Sequence, residues 1–410
     1  MSLTFPLLAT RDRPPRCVII VENLPVPFDR RVWQEANALK SAGWEVSVIC
    51  PMNDQHPQRF EEINGIAIYR HPLPVEARGK MGFILEYASA LFHETRLLLK
   101  IAFTRGFDVI QGCNPPDLIF LVAAPYKLFG KKYVFDHHDL CPELYAAKYD
   151  RHGFFHRLLL LAERLTFRCA DRVISANDTY RDIAITRGGK DPEDVTTVYS
   201  VPDRAKLRRV EPNEALRAGA DVVLGYVGII ADQDGVDHLV RMMHHLVQDH
   251  GRRGVRAVVV GDGPALASVK ELAASLGVAE RVTFTGYLRG TDLLAALSAF
   301  DIGIIPDPVN EYNDKISMNK VFEYSALGIP SISYDLSETR RLLGAAGTFA
   351  KDATPKALAE AVLPLIDDEA HRHELGARAG RLAEEKFNWE SEAGKYVGAY
   401  AALIGERAFA

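Results

Sequence analysis

Short apolar runs alternate with segments of helical periodicity along the whole chain, and this alternation constrains the fold more than any other feature. The first runs, CVIIVEN (17–23) and EVSVICP (45–51), flank a helical pattern at 30–42 that ends before Gly43. Strands that alternate with helices form parallel sheets with crossover helices. The first half is predicted to continue with strands at 109–113, 132–139 and 172–178, and with helices at 83–104, 115–129, 154–170 and 179–187.

The pattern starts again after a charged, non-periodic stretch. VVLGYVG (222–228) is predicted to be a strand, followed by a loop and a helix from about Val236. We therefore predict an α/β fold with two doubly wound Rossmann-like domains. The predicted strands that follow lie at 257–263, 281–287, 301–306 and 330–335. The predicted boundaries are 1–200 for the N-terminal domain, 201–219 for a linker, 220–386 for the C-terminal domain and 387–410 for a last helix.

Composition narrows the class of protein. Of the 410 residues, 48% are hydrophobic and 25% are charged, as in a soluble globular protein. The net charge of −5 gives no reason to expect a nucleic-acid partner. The five cysteines have no C-x-x-C spacing, which argues against zinc and fits a reducing compartment. We find no convincing signal peptide and no apolar run of the roughly 18–20 residues that span a membrane, so we expect a cytoplasmic protein.

The segment DKISMNKVFEYSALGIP (314–330) combines helical periodicity with an unusual polar stripe. Lys315, Asn319 and Glu323 recur at spacing four, which places them on one side of a helix. The opposite stripe is predicted to be buried, and Ser317 is predicted to be the N-cap. That buried stripe consists of Met318, Val321, Phe322 and Ser325.

A helix start of this kind favours an anion such as phosphate, because its free N–H groups and positive dipole end point at the ligand. Lys315 would add a positive charge, and Glu323 could accept hydrogen bonds from a ribose diol. The alternative is an ordinary solvated helix face with i,i+4 pairing.

The stretch NKVFEYSALGIPSI (319–332) resembles the donor-nucleotide motif of family 4 glycosyltransferases of the GT-B fold. Glu323 matches the second Glu of that motif, which binds the ribose, and Lys315 replaces the first. The Lys-containing form resembles a branch that builds surface polysaccharides and exopolysaccharides. Four further stretches resemble the same family: 28–51, VVGDGP (259–264), VTFTGYL (282–288) and FNWES (387–391).

The resemblance implies two domains that face a central cleft, with the nucleotide held by the second domain and the acceptor by the first. The implied activity is that of a retaining, hexosyltransferase-type enzyme. It would move a sugar from a nucleotide-diphosphate sugar to a glycan or lipid-linked acceptor in polysaccharide biosynthesis. No cofactor and no metal are implied, and a UDP-sugar is favoured over a GDP-sugar. The last helix, after Trp389, would cross back to the first domain.

One loop departs from the family pattern. In VGIIADQDG (227–235), Ile229 and Asp234 stand where family members carry an Arg and a Lys that contact the diphosphate. Lys315 with helix-start amides, or Arg30 or Arg31 of the first domain, would then bind the diphosphate. Alternatively, donor binding is weak or lost, and the chain is a non-catalytic glycosyltransferase-like subunit. A nucleotide-sugar 2-epimerase on the same fold is a further alternative.

The remaining candidate residues of the second domain follow its strands. By resemblance, Gly228 and Gly261 allow the donor to approach the backbone closely, and Tyr287 and Leu288 lie near the base. The sequence itself does not show which base is preferred.

In the first domain, FDHHDLCPELY (135–145) ends a predicted strand. The resemblance assigns a catalytic role near the donor sugar to His138, with Asp139 beside it. The alternative is a strand-end turn with a hydrogen-bonded His. A metal site is disfavoured, because adjacent side chains on a strand point to opposite faces. Asn23 and Asn114 follow two other predicted strands as candidate acceptor or cleft residues.

Two helical regions of the first domain, 79–105 and 154–168, mix aromatic, leucine and basic residues. Amphipathic packing explains such a mixture, and so does contact with a membrane surface. The family's use of lipid-linked acceptors favours peripheral contact with the inner face of the membrane.

Overall fold

The computed structural model describes residues 13–72, 79–149 and 153–405, with the side chains of 79–84 excepted. The chain divides into two compact units. Unit 1 extends to Ser200 and takes in the chain from Glu390, and unit 2 comprises Val201–Trp389. Among the described helices, none is both long and apolar enough to cross a bilayer.

Unit 1 contains an eight-stranded sheet in the order β3-β4-β2-β1-β5-β6-β7-β8. All neighbouring strands are parallel except β3 and β4, which pair antiparallel. The central strands are continuous apolar runs, as expected where helices cover both faces. The strands are β1 Arg16–Val21, β2 Glu45–Pro51, β3 Phe60–Ile63, β4 Ile66–His71, β5 Val109–Cys113, β6 Lys132–His137, β7 Arg172–Ser175 and β8 Val195–Thr197.

The helices of unit 1 connect these strands. The first begins after Asp29, whose carboxylate accepts the Val32 N–H at 3.0 Å, and ends before Gly43 at φ +90°. One large core cluster lies beneath the helices and includes Leu98, Phe135 and Phe167. The helices are α1 Arg30–Ser41, α2 Gly79–Thr104, α3 Phe120–Lys127, α4 Cys141–Tyr149, α5 Phe154–Cys169, α6 Asp178–Thr186 and the C-terminal helix Trp389–Gly405.

Unit 2 contains a six-stranded, fully parallel sheet in the order β11-β10-β9-β12-β13-β14. Its strands are β9 Val222–Val227, β10 Val255–Val260, β11 Val282–Gly286, β12 Ile302–Ile305, β13 Ser331–Ser333 and β14 Gly347–Phe349. Its helices are α7 Glu214–Arg217, α8 Val236–Gln248, α9 Leu266–Ser275, α10 Gly290–Ser298, α11 Asn319–Ala326, α12 Ser337–Leu343, α13 Pro355–Asp367 and α14 Glu369–Glu385; the C-terminal helix of unit 1 is α15.

Two doubly wound parallel-sheet units confirm the predicted α/β fold class, and every predicted strand is present with ends shifted by up to three residues. The sequence missed β3, β4, β8, β14 and several short helices, and α3 is shorter than predicted, since it begins at Phe120 and ends at Lys127. The segment predicted as a linker, 201–219, belongs to unit 2, where the Arg217 guanidinium pairs with Asp301 at 3.0 Å.

Candidate functional site

Two glycines bring the carboxyl ends of three neighbouring strands of unit 2 close together. The N–H of Gly228 donates to the carbonyl of Val260 at 3.1 Å, and that of Gly261 to the carbonyl of Gly286 at 3.0 Å. Gly261 has φ +147°, and a Cβ there would lie 1.8 Å from the Gly228 carbonyl oxygen. We call Gly228, Gly261 and Gly286 the glycine shelf. Gly261 is buried, but Gly228 and Gly286 are half-buried and carry no side chain, so a ligand can approach their backbone closely.

The loop that leaves the glycine shelf is tightly packed but contains no cation. A Cβ at Gly235, which has φ +67° and precedes α8, would lie 2.2 Å from the Pro306 carbonyl oxygen. The carboxylate of Asp234 accepts the N–H of Ala231 at 3.1 Å, and Ile229 is exposed. The two positions where the family pattern has cations therefore hold an acidic loop cap and an apolar side chain.

Helix α11 is fixed against the end of β9. The hydroxyl of Tyr324 donates to the Gly225 carbonyl at 3.1 Å and accepts the N–H of Val227 at 3.2 Å. The neighbouring residue, Glu323, is 7% exposed, and Asn319 is exposed in the first turn. The Tyr324 bonds thus hold the helix that carries Glu323 against the end of β9, which Gly228 follows directly.

The predicted stripe of three polar residues on α11 is wrong at its first member. The helix begins at Asn319, so Lys315 lies in the preceding turn, where its Nζ is 2.8 Å from Glu311. Ser317 does not cap the helix, since its hydroxyl donates to Glu338 at 3.1 Å. The chain forms a separate turn there, closed by the Asp314 N–H and the Asn310 carbonyl at 2.9 Å.

The buried stripe of α11 is confirmed. Each of its four predicted residues is at most 5% exposed, and the helix also buries Lys320, Glu323 and Tyr324. The helix is therefore covered on more sides than a simple amphipathic pattern predicts, because it packs between the sheet and α14.

A buried ion pair near the start of α11 was missed by the sequence analysis. The Lys320 ammonium lies 2.8 and 2.7 Å from the two Asp307 oxygens and 5.0 Å from the centre of the Tyr226 ring. Burial raises the pKa of Asp307 and the Lys320 charge opposes this shift. The available signal was an Asp after a strand and a Lys in the first turn of the next helix.

Tyr287 and Leu288 follow β11. Tyr287 is exposed, and the Arg289 guanidinium lies 5.4 Å from the centre of its ring. Leu288 lines a cavity of about 500 Å³ together with Asn213 and Asp292. This arrangement places the two predicted base-binding residues beside the β11 exit.

In unit 1, Asp136 at the end of β6 lies between two basic side chains. The Arg31 guanidinium donates to both of its oxygens, at 3.1 and 2.7 Å, and the Nδ1 of His138 is 2.8 Å from Oδ2. Burial alone would raise the pKa of Asp136, but Arg31 and His138 hold it well below its usual range. Arg31 was predicted as a cation for the diphosphate, and the structure shows it buried and bound to this carboxylate.

His138 is held in one orientation by that carboxylate. Burial lowers the pKa of His138, but Asp136 outweighs it and raises the pKa above its usual value. Since Nδ1 faces Asp136, Nε2 is the ring nitrogen left for a ligand. His137 points the opposite way, as predicted, among Phe135, Phe167 and Tyr180, and burial lowers its pKa to about 3.

Asn114 and Asp139 connect two strand exits. The Asn114 side chain accepts the N–H groups of His138 at 2.9 Å and Asp139 at 3.1 Å, and donates to Asp117 at 2.9 Å. Asn114 is 1% exposed, so it supports the loop that carries His138 rather than presenting its amide to solvent. The carboxylate of Asp139 accepts the Leu140 N–H at 2.8 Å.

The β1 exit contributes exposed and buried polar groups. Asn23 is exposed, as is Arg30 at the start of α1. Glu22, which the sequence analysis did not select, is 4% exposed, and burial with repulsion from Glu94 raises its pKa to about 9. A protonated carboxyl of this kind can donate as well as accept a hydrogen bond.

Among the described residues, Glu35, Cys113 and Asp136 are close enough to share a metal ion. Arg31 already lies within 3.1 Å of both carboxylates. A cation there would displace a buried ion pair, so the trio does not suit a metal. The five cysteines are all free.

Two family models match the chain, one for each unit. Residues 29–204 match "Glycosyltransferase Family 4" and residues 221–368 match "Glycosyl transferases group 1".

Curated relatives include two glycosyltransferases of Streptomyces kanamyceticus. The chain is 27% identical to a 2-deoxystreptamine glucosyltransferase of Streptomyces kanamyceticus, over 83% of this chain and 89% of the relative. It is 26% identical to an alpha-D-kanosaminyltransferase of the same organism, over 58% of this chain and 62% of the relative, slightly under two thirds of its length.

Solved structures share the fold. Sucrose-phosphate synthase from Thermosynechococcus elongatus matches with a TM-score of 0.77 at 17% identity, over 96% of this chain and all of that one. Anabaena Alr3699/HepE, in complex with UDP and glucose, matches with a TM-score of 0.70 at 15% identity, over 95% of this chain and all of that one. At these identities the likeness shows the GT-B fold alone.

Proposed function

We propose that this chain, a GT-B glycosyltransferase of the family 4 type, transfers a sugar from a UDP-sugar to a glycan or lipid-linked glycan, with retention at the anomeric carbon. The acceptor belongs to a polysaccharide pathway. Unit 2 binds the donor nucleotide, and unit 1 binds the acceptor and supplies His138.

One observation supports the proposal: the glycine shelf and the helix that carries Glu323 both lie at the carboxyl end of β9. The bonds of Tyr324 to Gly225 and Val227 fix this arrangement. Backbone free of side chains suits a diphosphate, and a carboxylate suits a ribose diol. Ligands in open α/β sheets bind at this edge.

The diphosphate also needs a cation, and Lys315 is better placed to exchange partners than Lys320. Lys315 pairs with the exposed Glu311 at 2.8 Å, and exposed pairs of this type contribute only about 0–1 kcal/mol. Lys320 is buried with Asp307, and removing it from that pair would leave an uncompensated buried charge. In this scheme Lys315 moves from Glu311 to the phosphates and stabilises the leaving UDP.

The test is calorimetric titration of UDP and of GDP into the wild type, Glu323→Ala and Lys315→Ala. We expect UDP to bind more tightly than GDP, and each substitution to weaken UDP binding roughly 10- to 100-fold, as expected for one hydrogen bond to a charged group. The exposed Glu271→Ala of α9 is the matched control and should bind as the wild type does.

Failure of folded wild-type protein to bind either nucleotide would refute the donor site. Product analysis then separates transfer from isomerisation. A transferase releases UDP only together with glycosylated acceptor, whereas an epimerase returns an altered nucleotide sugar without acceptor.

A further inference from the structure

Three neighbouring helices of unit 1, together with the turn that follows α3, expose a large set of apolar side chains. Helix α3 packs against both α2 and α5, so their outer surfaces adjoin. We call this set the outer face; it consists of Leu85, Phe92, Leu99, Phe103, Leu121, Leu128, Phe129, Phe154, Leu158, Leu161 and Leu165. Single exposed apolar residues are common, but an extended group on adjoining helices marks an interaction surface.

The outer face is not needed to complete the core of unit 1. On α2, the buried side chains of Leu97, Leu98 and Ile101 already fill the core cluster, and Phe167 does so from α5. By contrast, Phe103 is 84% exposed and Phe129 is 77% exposed. These aromatic rings therefore gain nothing from the fold of unit 1 itself.

The charges on the outer face have one sign. On α5, the exposed Arg157, Arg164 and Arg168 alternate with its exposed leucines at helical spacing. On the described parts of α2, α3 and α5, no acidic side chain is exposed, since Glu94 and Glu163 are buried and Glu86 is half-buried. Exposed apolar side chains with interspersed arginines are the pattern of helices that lie on anionic membranes.

A basic groove adjoins the same helix. It has a volume of about 320 Å³ and lies between α5 and the turn after α6. Arg164, Arg168 and Lys190 line it together with Phe167 and two glycines, and none of its lining residues is acidic. Its size and charge suit a single phosphate group.

We propose that the outer face docks this protein on a bilayer that contains anionic phospholipid, with the headgroup phosphate of one lipid in the Arg164–Arg168–Lys190 groove. The apolar side chains enter the boundary between headgroups and acyl chains, and the arginines remain at the phosphates. The docking proposal does not depend on which sugar is transferred.

The experiment is flotation of the full chain with two kinds of vesicle: phosphatidylcholine alone, and phosphatidylcholine with one third phosphatidylglycerol. We expect binding to the anionic vesicles at low salt, weaker binding at high salt, and much weaker binding to neutral vesicles. The variant Arg157→Glu with Arg164→Glu and Arg168→Glu should bind the anionic vesicles about 100-fold more weakly, from about 1 kcal/mol per basic residue.

A matched control variant has the same change in charge, but on the surface of unit 2. Arg241→Glu with Arg253→Glu and Arg381→Glu alters three exposed arginines of unit 2 by the same total charge. It should retain most of the binding. A second variant, Phe103→Ser with Phe129→Ser, leaves the charge unchanged and should lower binding at every salt concentration.

Three outcomes would overturn the proposal. They are absence of vesicle binding by folded wild type, an equal loss of vesicle binding in the unit 2 control, and self-association through the outer face that both outer-face variants abolish.

UDP titration of the same samples separates the docking proposal from the proposed donor site. Nucleotide binding without vesicle binding refutes docking alone, and vesicle binding without nucleotide binding refutes the donor site alone.

Discussion

Individual residues show how burial changes the role of a charged side chain in this chain. Arg31 and Lys320 are both basic, both lie near strand ends and are both buried against a carboxylate. Each is therefore committed to its partner, because breaking a buried pair leaves an uncompensated charge. Arg30 is exposed, and the half-buried Lys315 pairs with the exposed Glu311, so a change of partner costs these two residues less free energy.

The pair of His138 and Asp136 gives a prediction for stability against pH. The folded pKa of His138 is raised, so its bond to Asp136 stabilises the fold fully below the unfolded pKa of about 6.5. That contribution is lost as the pH rises through the folded value. We expect His138→Asn to lower the free energy of unfolding by about 2 kcal/mol at low pH, and by less as the pH increases.

Urea denaturation between pH 5 and pH 9 measures this difference. The exposed His373→Asn of α14 is the control and should leave the curve unchanged at every pH. If the loss of unfolding free energy caused by His138→Asn grew with pH, the assigned bond between His138 and Asp136 would be wrong.

At the scale of elements, the strand ends of unit 2 depend on close backbone packing that a side chain would prevent. Gly261 illustrates this dependence, because its Cβ position is occupied by the Gly228 carbonyl. The requirement arises from the contact between two loops that are distant in sequence. A glycine pattern in either loop alone does not reveal it.

Gly261→Ala should therefore displace the Gly228 backbone. We expect a loss of unfolding free energy of about 3 kcal/mol or more, as for a strained backbone combined with a steric clash, together with at least about 10-fold weaker UDP binding.

The Gly277→Ala variant separates the effect of backbone strain from the effect of a steric clash. Gly277 also has a positive φ, +69°, but has open space around its Cβ position. The Gly277→Ala variant should lose only about 1 kcal/mol of unfolding free energy and should bind UDP as the wild type does. Equal effects of the two substitutions would show that the contact with Gly228 is unimportant.

At the scale of the whole molecule, α15 belongs to unit 1 although it follows unit 2 in the chain. Tyr396 donates to the Gln111 side chain at 2.7 Å, and Tyr400 packs edge-on against Trp44 at 5.3 Å. Tyr396 and Tyr400 are fully buried. The core of unit 1 is thus completed only after the rest of the chain has been made.

Two fragments test this dependence. Residues 201–389 contain all of unit 2 and should unfold cooperatively when heated, as followed by circular dichroism. Residues 1–200 lack α15 and should show no cooperative transition, because the surface around Gln111 and Trp44 would be exposed. Cooperative unfolding of 1–200 at the temperature of the full chain would contradict this view of α15.

The sequence by itself determined the α/β class, the positions of the main strands and the buried stripe of α11, because alternation and periodicity follow directly from the geometry of strands and helices. It also pointed to Glu323. Only the tertiary structure decided that Lys315 lies outside α11, that Arg31 is neutralised by Asp136, and that Asn114 supports a neighbouring loop. These facts depend on contacts between residues far apart in the chain, and the free energy of burying a charge is set by such contacts rather than by local sequence.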